Sequence, residues 1–217
     1  NEIIHAPEVR EMEGTWRGLW YLINNTETDT KLKIKVMNIT KDELADTLED
    51  YEGQMWDQSP IFKKVYTEEY SMFGGHPSGC LIGAYEFSNH PKDVGLLRNI
   101  SGICASAHAP FIAAASPRIF RMETWQELPN PQDLKMITNS PAYASWQSLR
   151  ESEDSRYIGL TMPRVLARLP YGADTVPVKG FAFEEELAGG HHKYVWMNAG
   201  FPMGVSINRS HKLYGCG

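Results

Sequence analysis

Cysteine is scarce in this chain of 217 residues, which contains only Cys80, Cys104 and Cys216. The number is odd and the positions lie far apart, so no disulfide framework is expected. Cys80 and Cys104 stand in apolar runs, as small buried hydrophobic residues do. This usage fits a reducing compartment, and we expect the protein to be cytoplasmic.

Long hydrophobic runs and an excess of basic residues are also absent. No stretch reaches the roughly 18 uninterrupted apolar residues of a membrane span, and the opening residues NEIIHAPEVR lack the layout of a secretory signal. The net charge is -6, with Lys and Arg spread along the chain. No basic stripe or polybasic patch results, so neither nucleic acid nor a membrane is expected as a partner.

A phosphate-binding loop is missing at the one glycine-rich segment that resembles it, FGGHPSG at residues 73–79. Such a loop ends in a lysine and a hydroxyl residue at a helix N-terminus, but Cys80 and Leu81 follow here. The segment therefore predicts a turn whose glycines allow positive φ or close backbone approach. These glycines are Gly74, Gly75 and Gly79.

Strand-like and helix-like patterns alternate along the chain, and 42% of the residues are hydrophobic. KLKIKV at residues 31–36 alternates as a strand with one wet face. We favour a solvated face for its three lysines over an anion-binding ridge, because lysine also protects exposed strands from edge pairing. LIGAYEF at residues 81–87 is apolar enough for a central strand, and RYIGLTM at residues 156–162 is a further strand, stopped by Pro163.

Helix starts are predicted at three places. Thr40 and Glu43 form a capping box before a helix over residues 41–50. Ser59 precedes Pro60 at the start of another helix, and Pro91 starts a long apolar helix that ends or kinks at Pro110. Together these elements predict an α/β fold with a mixed central β-sheet flanked by helices, forming one region over residues 1–217 or two tightly packed subdomains.

Two histidine sites are candidates for chemistry. His191 and His192 lie near Glu184, Glu185 and Glu186, but adjacent histidines on a strand point to opposite faces and lack metal-ligand spacing, which favours a solvated loop. His108 lies alone at the end of a helix of small residues, where a positive charge interacts well with the helix dipole. Use of His108 as a general base would require a nucleophile and an orienting carboxylate nearby.

Four arginines recur around the acidic residues Glu151, Glu153 and Asp154. Such arginines either clamp an anionic ligand or pair with carboxylates to hold a loop, and we favour the structural role. An α/β enzyme or nucleotide-binding module that uses His108 with Arg150, Arg156 and Arg164 is the alternative function. The four arginines are Arg150, Arg156, Arg164 and Arg168.

Several of these segments, taken in order, resemble the large sheath subunit of the bacterial type VI secretion system, the TssC, VipB or EvpB family. The longest is WQSLRESEDSRYIGLTMPRVLARLPYG at residues 146–172, which is highly specific. The shorter ones are WRGLWYL (16–22), FKKVY (62–66), FGGHPSG with LIGAYEF (73–87), SAHAPFIAAASP (106–117) and YVWMNAGF (194–201).

The resemblance implies a structural role without enzymatic activity, cofactor or metal. A large subunit of this family pairs with a small sheath subunit, and the pairs stack with neighbouring sheath subunits into a helical tube. The tube surrounds an inner tube of hexamers, and its contraction propels effectors out of the cell before an AAA+ unfoldase recycles it. We expect this chain to be the core of such a subunit without its two terminal segments, and we expect the unfoldase to act through those segments.

Within the resemblance, the residue roles are structural. We expect Gly74 and Gly75 to set the turn, and Pro163 with Arg164 to fix the strand exit. Arg156 and Arg164 are predicted to pair with Glu153 or Asp154. Pro202 stands in what is usually a continuous helix, which indicates a broken helix or an irregular chain end. The proposed motif residues are Gly74, Gly75, Tyr85, Glu86, Phe87, Arg156, Tyr157, Pro163, Arg164 and Tyr171.

Overall fold

The computed structural model describes residues 1–51, 53–130 and 132–215. Its α-helices are α1 (Pro7–Asn24), α2 (Lys41–Glu49), α3 (Pro60–Phe62), α4 (Glu68–Tyr70), α5 (Pro91–Ala107), α6 (Leu134–Thr138), α7 (Ala144–Glu151) and α8 (Gly200–Tyr214). A π-helical turn at Lys63–Thr67 joins α3 to α4, so the helix predicted from Ser59 and Pro60 runs through to Tyr70. Cys216, one of the three cysteines, lies outside the described residues.

Two sheets form from five strands in the described part of the chain. The main sheet is parallel and has the order β1 (Leu81–Phe87), β2 (Phe111–Ala115), β3 (Ile158–Thr161). The second is an antiparallel pair of β4 (Val165–Leu166) and β5 (Trp196–Met197). The α/β prediction is confirmed. The central strand is β2, however, and the prediction of a central position for residues 81–87 is wrong.

Helices cover both faces of the main sheet. Phe87, Phe111 and Ala113 share a buried cluster with the apolar residues of α5. On the other face, α8 contacts all three strands and α1 packs against α8 and β5. A methyl group at Gly14 would overlap with the carbonyl oxygen of Trp196, so glycine permits the close approach of α1 to β5.

The predicted helix starts are confirmed. The side chain of Thr40 accepts a hydrogen bond from the backbone N–H of Glu43, and the Glu43 carboxylate accepts one from the Thr40 N–H. This capping box starts α2 at Lys41. The Ser59 hydroxyl accepts a hydrogen bond from the backbone N–H of Phe62 and so caps the next helix. The long helix α5 starts at Pro91 as predicted, but it ends at Ala107, before Pro110, because His108 adopts a left-handed conformation.

Two predicted elements differ from the structure. Residues 31–36 belong to neither sheet and form a bend followed by irregular backbone. Periodicity alone specifies which side chains share a face, whereas a strand also requires a partner. Pro202 does not break the C-terminal helix, because α8 begins at Gly200 and the proline therefore lies in its first turn. Backbone N–H groups in a first turn have no intrahelical acceptor, so proline is tolerated there.

Both cysteines in the described part of the chain are free thiols. Cys104 is fully buried in the cluster beneath α5, and Cys80 is half-buried. Burial raises the pKa of Cys104 to about 12 and that of Cys80 to about 11. Both thiols are therefore protonated near neutral pH and behave as small hydrophobic residues, as predicted.

Candidate assembly surface

The glycine turn at residues 73–79 requires glycine at two positions and is fixed by one carboxylate. Gly74 has a φ of +85°, which side chains with a Cβ rarely adopt. A Cβ at Gly75 would overlap with the backbone carbonyl of Glu69. The Glu69 side chain accepts a hydrogen bond of 2.7 Å from the backbone N–H of His76. Gly79 has neither a positive φ nor a close neighbour, so the prediction that it is conformationally required is wrong.

Strand β1 uses its side chains for three different contacts. Phe87 is fully buried and meets Phe111 edge to face. Tyr85 is half-buried, and its hydroxyl donates a 2.6 Å hydrogen bond to the carbonyl oxygen of Ile39. Glu86 pairs with Arg164. The strand therefore connects the core, the start of α2 and the segment that follows β3.

Arg164 pairs with Glu86 and not with Glu153 or Asp154, so that prediction is wrong. The guanidinium Nε donates to Glu86 Oε2 at 2.8 Å, and Nη2 contacts the same oxygen. In a parallel sheet the carboxyl ends of the strands meet at one edge, which brings the end of β1 to the end of β3. Glu153 and Asp154 precede β3 and lie toward its opposite end. Between β3 and Arg164 stands Pro163, joined to Met162 by a cis peptide bond.

Arg156 and Tyr157 lie on the surface just before β3. Arg156 pairs with Glu153 at 3.4 Å as predicted, but both side chains are largely exposed, at 64% and 82%. Its guanidinium also stands 5.4 Å from the ring centre of Tyr157. The Tyr157 hydroxyl lies 3.1 Å from His108 Nδ1. These contacts join the end of α5 to the start of β3.

The least exposed Arg–carboxylate pairs in the described residues surround Arg168, and their carboxylates were not predicted as its partners. Arg168 is almost buried, with 5% of its side chain exposed, and it contacts two carboxylates. Its Nε donates to Glu13 Oε1 at 2.7 Å, and its Nη1 donates to Glu185 Oε2 at 2.5 Å. His5 completes the cluster with a contact of 3.2 Å to Glu185. Only the tertiary structure places Glu13 here, because 155 residues separate it from Arg168.

Electrostatics in this cluster favour the charged forms. Burial by itself raises the pKa of Glu13, but hydrogen bonds from Arg168 and Arg17 outweigh it, and the net pKa is lowered. Burial likewise opposes ionisation of Glu185, and hydrogen bonds from Arg168 and the Tyr171 backbone lower its pKa. The two carboxylates raise the pKa of Arg168 in turn. All three groups are therefore ionised near neutral pH.

Tyr171 is part of the same cluster. Its backbone N–H donates a 2.8 Å hydrogen bond to Glu185, and its hydroxyl accepts one of 2.9 Å from Arg17. The Arg168 guanidinium lies 4.2 Å from its ring centre. The predicted turn at residues 170–172 is thus connected to α1 through ionic and aromatic contacts.

The residues of the enzymatic alternative do not form one site. His108 and Arg156 both contact Tyr157 before β3, whereas Arg164 follows β3 and contacts Glu86. Two open clefts, of about 820 and 500 Å³, are lined by other residues. His191 and His192 lie in a short 3₁₀ turn, and the described residues contain no group of three or more His, Cys, Asp or Glu side chains placed to hold a metal ion.

A stripe of exposed apolar residues follows the outer face of α1. Its members are spaced four, four and three residues apart, which places them on one side of the helix. Trp16 and Trp20 are 66% and 65% exposed. Exposed tryptophan is typical of binding surfaces, where its large apolar area contributes much of the affinity. The stripe consists of Met12, Trp16, Trp20 and Ile23.

The opposite face of the same helix packs inward through Gly14, Gly18 and Leu22. The tryptophan stripe was not predicted, although its helical spacing is readable in the sequence.

None of the helices in the described residues is both long and apolar enough to cross a membrane.

Comparison with known proteins gives consistent results. Residues 1–216 match the VipB family model, described as "EvpB/VC_A0108, tail sheath N-terminal domain". The chain is also 60% identical over 216 residues to the type VI secretion system sheath protein TssC1 of Pseudomonas aeruginosa. That alignment covers 99% of this chain and 43% of the relative, so the chain spans less than half of the relative's length. The resemblance found in the sequence is confirmed, and the chain belongs to the VipB family of tail sheath N-terminal domains.

Proposed function

We propose that this chain is the rigid core of a structural subunit in the contractile sheath of a type VI secretion system. The observation that carries the proposal is the 60% identity to a type VI sheath protein over nearly the whole chain. Its role there is mechanical and not enzymatic, and it works in the cytoplasm. Residues 1–217 act as one body, a proposal supported by the contacts that tie Arg168 and Tyr171 to α1.

The proposed partners are those of a sheath. The subunit pairs with a small sheath subunit, contacts neighbouring sheath subunits, and surrounds an inner tube of hexamers whose effectors are expelled on contraction. An AAA+ unfoldase recycles the contracted form through segments outside this chain. The tryptophan stripe on α1 supports such assembly. Its apolar area is exposed, and removal of that area from water against another surface is favourable.

Electron microscopy tests this function. The complete gene product that contains this sequence is co-expressed with its small sheath subunit, and the purified material is imaged. We expect hollow helical tubules that contain both proteins in equal amounts. Monomers that never co-purify with the small subunit would contradict the proposal.

A ligand screen distinguishes the sheath function from the alternative, an enzyme or nucleotide-binding module. A ligand bound only by the folded protein at one hundred times its dissociation constant adds about 2.7 kcal/mol to the free energy of unfolding. We expect no stabilisation by ATP, GTP, inorganic phosphate or divalent cations. A clear rise in melting temperature with one of them would favour a ligand-binding role instead.

A further inference from the structure

The glycine turn carries the most exposed large apolar side chain in the described part of the chain. Phe73 is fully exposed, and its neighbour Met72 is 61% exposed. We call these two residues the apolar tip. Large apolar side chains in contact with water are stabilised when another surface covers them, and an exposed group of them marks an interaction site.

The apolar tip stands on a turn of fixed geometry. The backbone N–H of Gly75 donates a 3.1 Å hydrogen bond to the carbonyl oxygen of Met72, which closes a turn around Phe73. At the base of the turn, the Tyr70 hydroxyl donates a 2.5 Å hydrogen bond to the carbonyl oxygen of Ala107. A side chain presented on such a backbone loses little conformational freedom on binding, which favours binding.

The larger of the two clefts has an apolar lining that can receive such a side chain. Its volume of about 820 Å³ lies within the range of about 300–1,000 Å³ that is usual for binding pockets. We call it the aromatic cleft. The ring centres of Tyr171 and Phe183 lie 6.4 Å apart, and those of Phe183 and Phe181 lie 5.9 Å apart. A phenylalanine ring inserted beside them extends this series, because tilted ring contacts at about 4.5–7 Å are favourable. The apolar lining includes Ile3, Tyr171, Val178, Phe181 and Phe183.

Both walls of the aromatic cleft are fixed by polar contacts. Tyr171 is held by Arg17 at its hydroxyl and by Arg168 at its ring. On the other wall, the Asn1 side chain donates a 3.3 Å hydrogen bond to the carbonyl oxygen of Glu184 and accepts one of 2.9 Å from the N–H of Glu186. The cleft is therefore preformed, and binding does not require its walls to be ordered first.

The apolar tip and the aromatic cleft lie toward opposite ends of the main sheet. The contact of Tyr70 with Ala107 places the tip beside the end of α5, where β1 and β2 begin. The cleft lies beyond the other end, because Arg164 contacts Glu86 near the end of β1 and Tyr171 follows further along the chain. A protrusion at one end and a cleft at the other suit a head-to-tail contact between two copies. Such a contact repeats into a helical assembly when it does not close a ring.

Charges around the two surfaces are complementary. Beside the tip, Lys33 Nζ lies 2.9 Å from His76 Nε2 and Lys35 contacts Glu69, so two lysines stand against one carboxylate. Three exposed carboxylates border the cleft, against one lysine in its lining, Lys179. Opposite charges on facing surfaces steer association and set orientation. The three carboxylates are those of Glu2, Glu184 and Glu186.

We propose that Phe73 of one sheath subunit inserts into the aromatic cleft of a second copy of the same chain. This inference rests on the proposed sheath function and assigns a head-to-tail contact to it. Met72 packs at the rim of the cleft, and the lysines beside the tip face the carboxylates that border the cleft.

Substitutions on the two sides of the contact test the pairing. Phe73→Ala and Phe181→Ala in the complete gene product remove one partner each, and both side chains are exposed, so the melting temperature should change little. We expect each variant to raise the concentration at which half of the subunits form tubules by about tenfold or more. The double variant should be no worse than the more severe single variant, because both changes remove one contact. Met136→Ala is the control. Unchanged assembly of Phe73→Ala, or losses that multiply in the double variant, would contradict the pairing.

Cross-linking in cells locates the contact directly. The photoreactive residue benzoylphenylalanine replaces Phe73 in the complete gene product, which is co-expressed with the small subunit, and adducts are mapped by mass spectrometry. We expect a dimer of the large subunit in which residue 73 is joined to residues 171–183. The same replacement of Met136, which is 74% exposed, should not give this adduct. Adducts only with the small subunit, only within one polypeptide or only elsewhere on a second copy would overturn the inference, as would no adduct.

The cross-link and the imaging experiment have separate outcomes. Tubules without the adduct would overturn the contact and leave the sheath function in place. The adduct without tubules would support the contact between two copies and contradict the sheath function.

Discussion

Arg168 and Glu185 form a nearly buried ion pair, with 2.5 Å between Nη1 and Oε2 and side-chain exposures of only 5% and 1%. The second carboxylate on Arg168, that of Glu13, comes from α1 near the start of the chain. The contact between Glu13 and Arg168 fixes the first helix against the segment that connects β4 to β5. It also places the tryptophan stripe of α1 in a defined position on the outer surface.

Removal of Arg168 is expected to destabilise the fold severely. Arg168→Ala leaves two poorly hydrated carboxylates without their main partner, and breaking a buried pair in this way costs about 3–5 kcal/mol. Arg156→Ala is the matched control, because Arg156 and its partner Glu153 are exposed. We expect that control to change the free energy of unfolding by about 0.5 kcal/mol or less. Urea denaturation measures both, and equal losses would contradict the special role of Arg168.

Acidification is expected to weaken the same cluster. The folded pKa values of Glu13 and Glu185 lie below their ordinary value of 4.5. A lowered pKa contributes stability that is present above the unfolded value and lost as the pH falls through the folded one. The free energy of unfolding should therefore decline below pH 4.5, the unfolded value of these carboxyl groups. Denaturation at a series of pH values should show a shallower decline for Glu13→Gln/Glu185→Gln, and an unchanged decline would exclude these groups as its cause.

The glycine turn offers a graded series of substitutions. Gly74→Ala forces a residue with a Cβ into left-handed backbone geometry, at a cost of about 1–2 kcal/mol. Gly75→Ala creates a clash with the Glu69 backbone and should be at least as costly. Gly79→Ala is the control, since its added methyl group meets nothing within 4 Å. Thermal unfolding of the three variants should rank Gly79→Ala as the mildest, and equal effects would contradict the structural requirement.

The Arg164–Glu86 pair is expected to contribute little to stability. Its side chains are 44% and 28% exposed, so solvent screens much of the attraction. A double-mutant cycle of Arg164→Ala and Glu86→Ala should give a coupling energy of about 1 kcal/mol or less. If Arg164→Ala lowers the tubule yield while the free energy of unfolding changes little, Arg164 contributes to assembly and not to folding. A coupling of several kcal/mol would show that the pair is a main stabilising contact.

The tryptophan stripe is expected to matter for assembly and not for folding. Trp16→Ala/Trp20→Ala removes side chains that are two-thirds exposed, so the melting temperature should change little. Tubule yield and co-purification with the small subunit should fall at least tenfold, because buried tryptophans at interfaces contribute about 2 kcal/mol or more each. Met136→Ala, which removes another exposed apolar side chain, is the control. Normal tubules from the double variant would exclude the stripe as an assembly surface.

Local features of this protein were readable from its sequence. The capping box at Thr40, the proline starts of the helices and the strand at residues 81–87 depend on side-chain chemistry within a few residues. The sheath family was also recognisable, because the segment at residues 146–172 is long and specific. The helix starts are determined by neighbours in the chain, whereas the strand at residues 81–87 also requires β2 as its partner.

Other features were decided by the tertiary structure. The partner of Arg164 is Glu86 because parallel strands bring their carboxyl ends together, and Glu13 reaches Arg168 across 155 residues. The segment at residues 31–36 is the reverse case, since its alternation specifies a strand while no described residue pairs with it. Sequence by itself determined which side chains share a face and where helices begin. Only the folded chain decided which charges meet and which backbone groups stay unpaired, because both depend on residues that are distant in sequence and close in space.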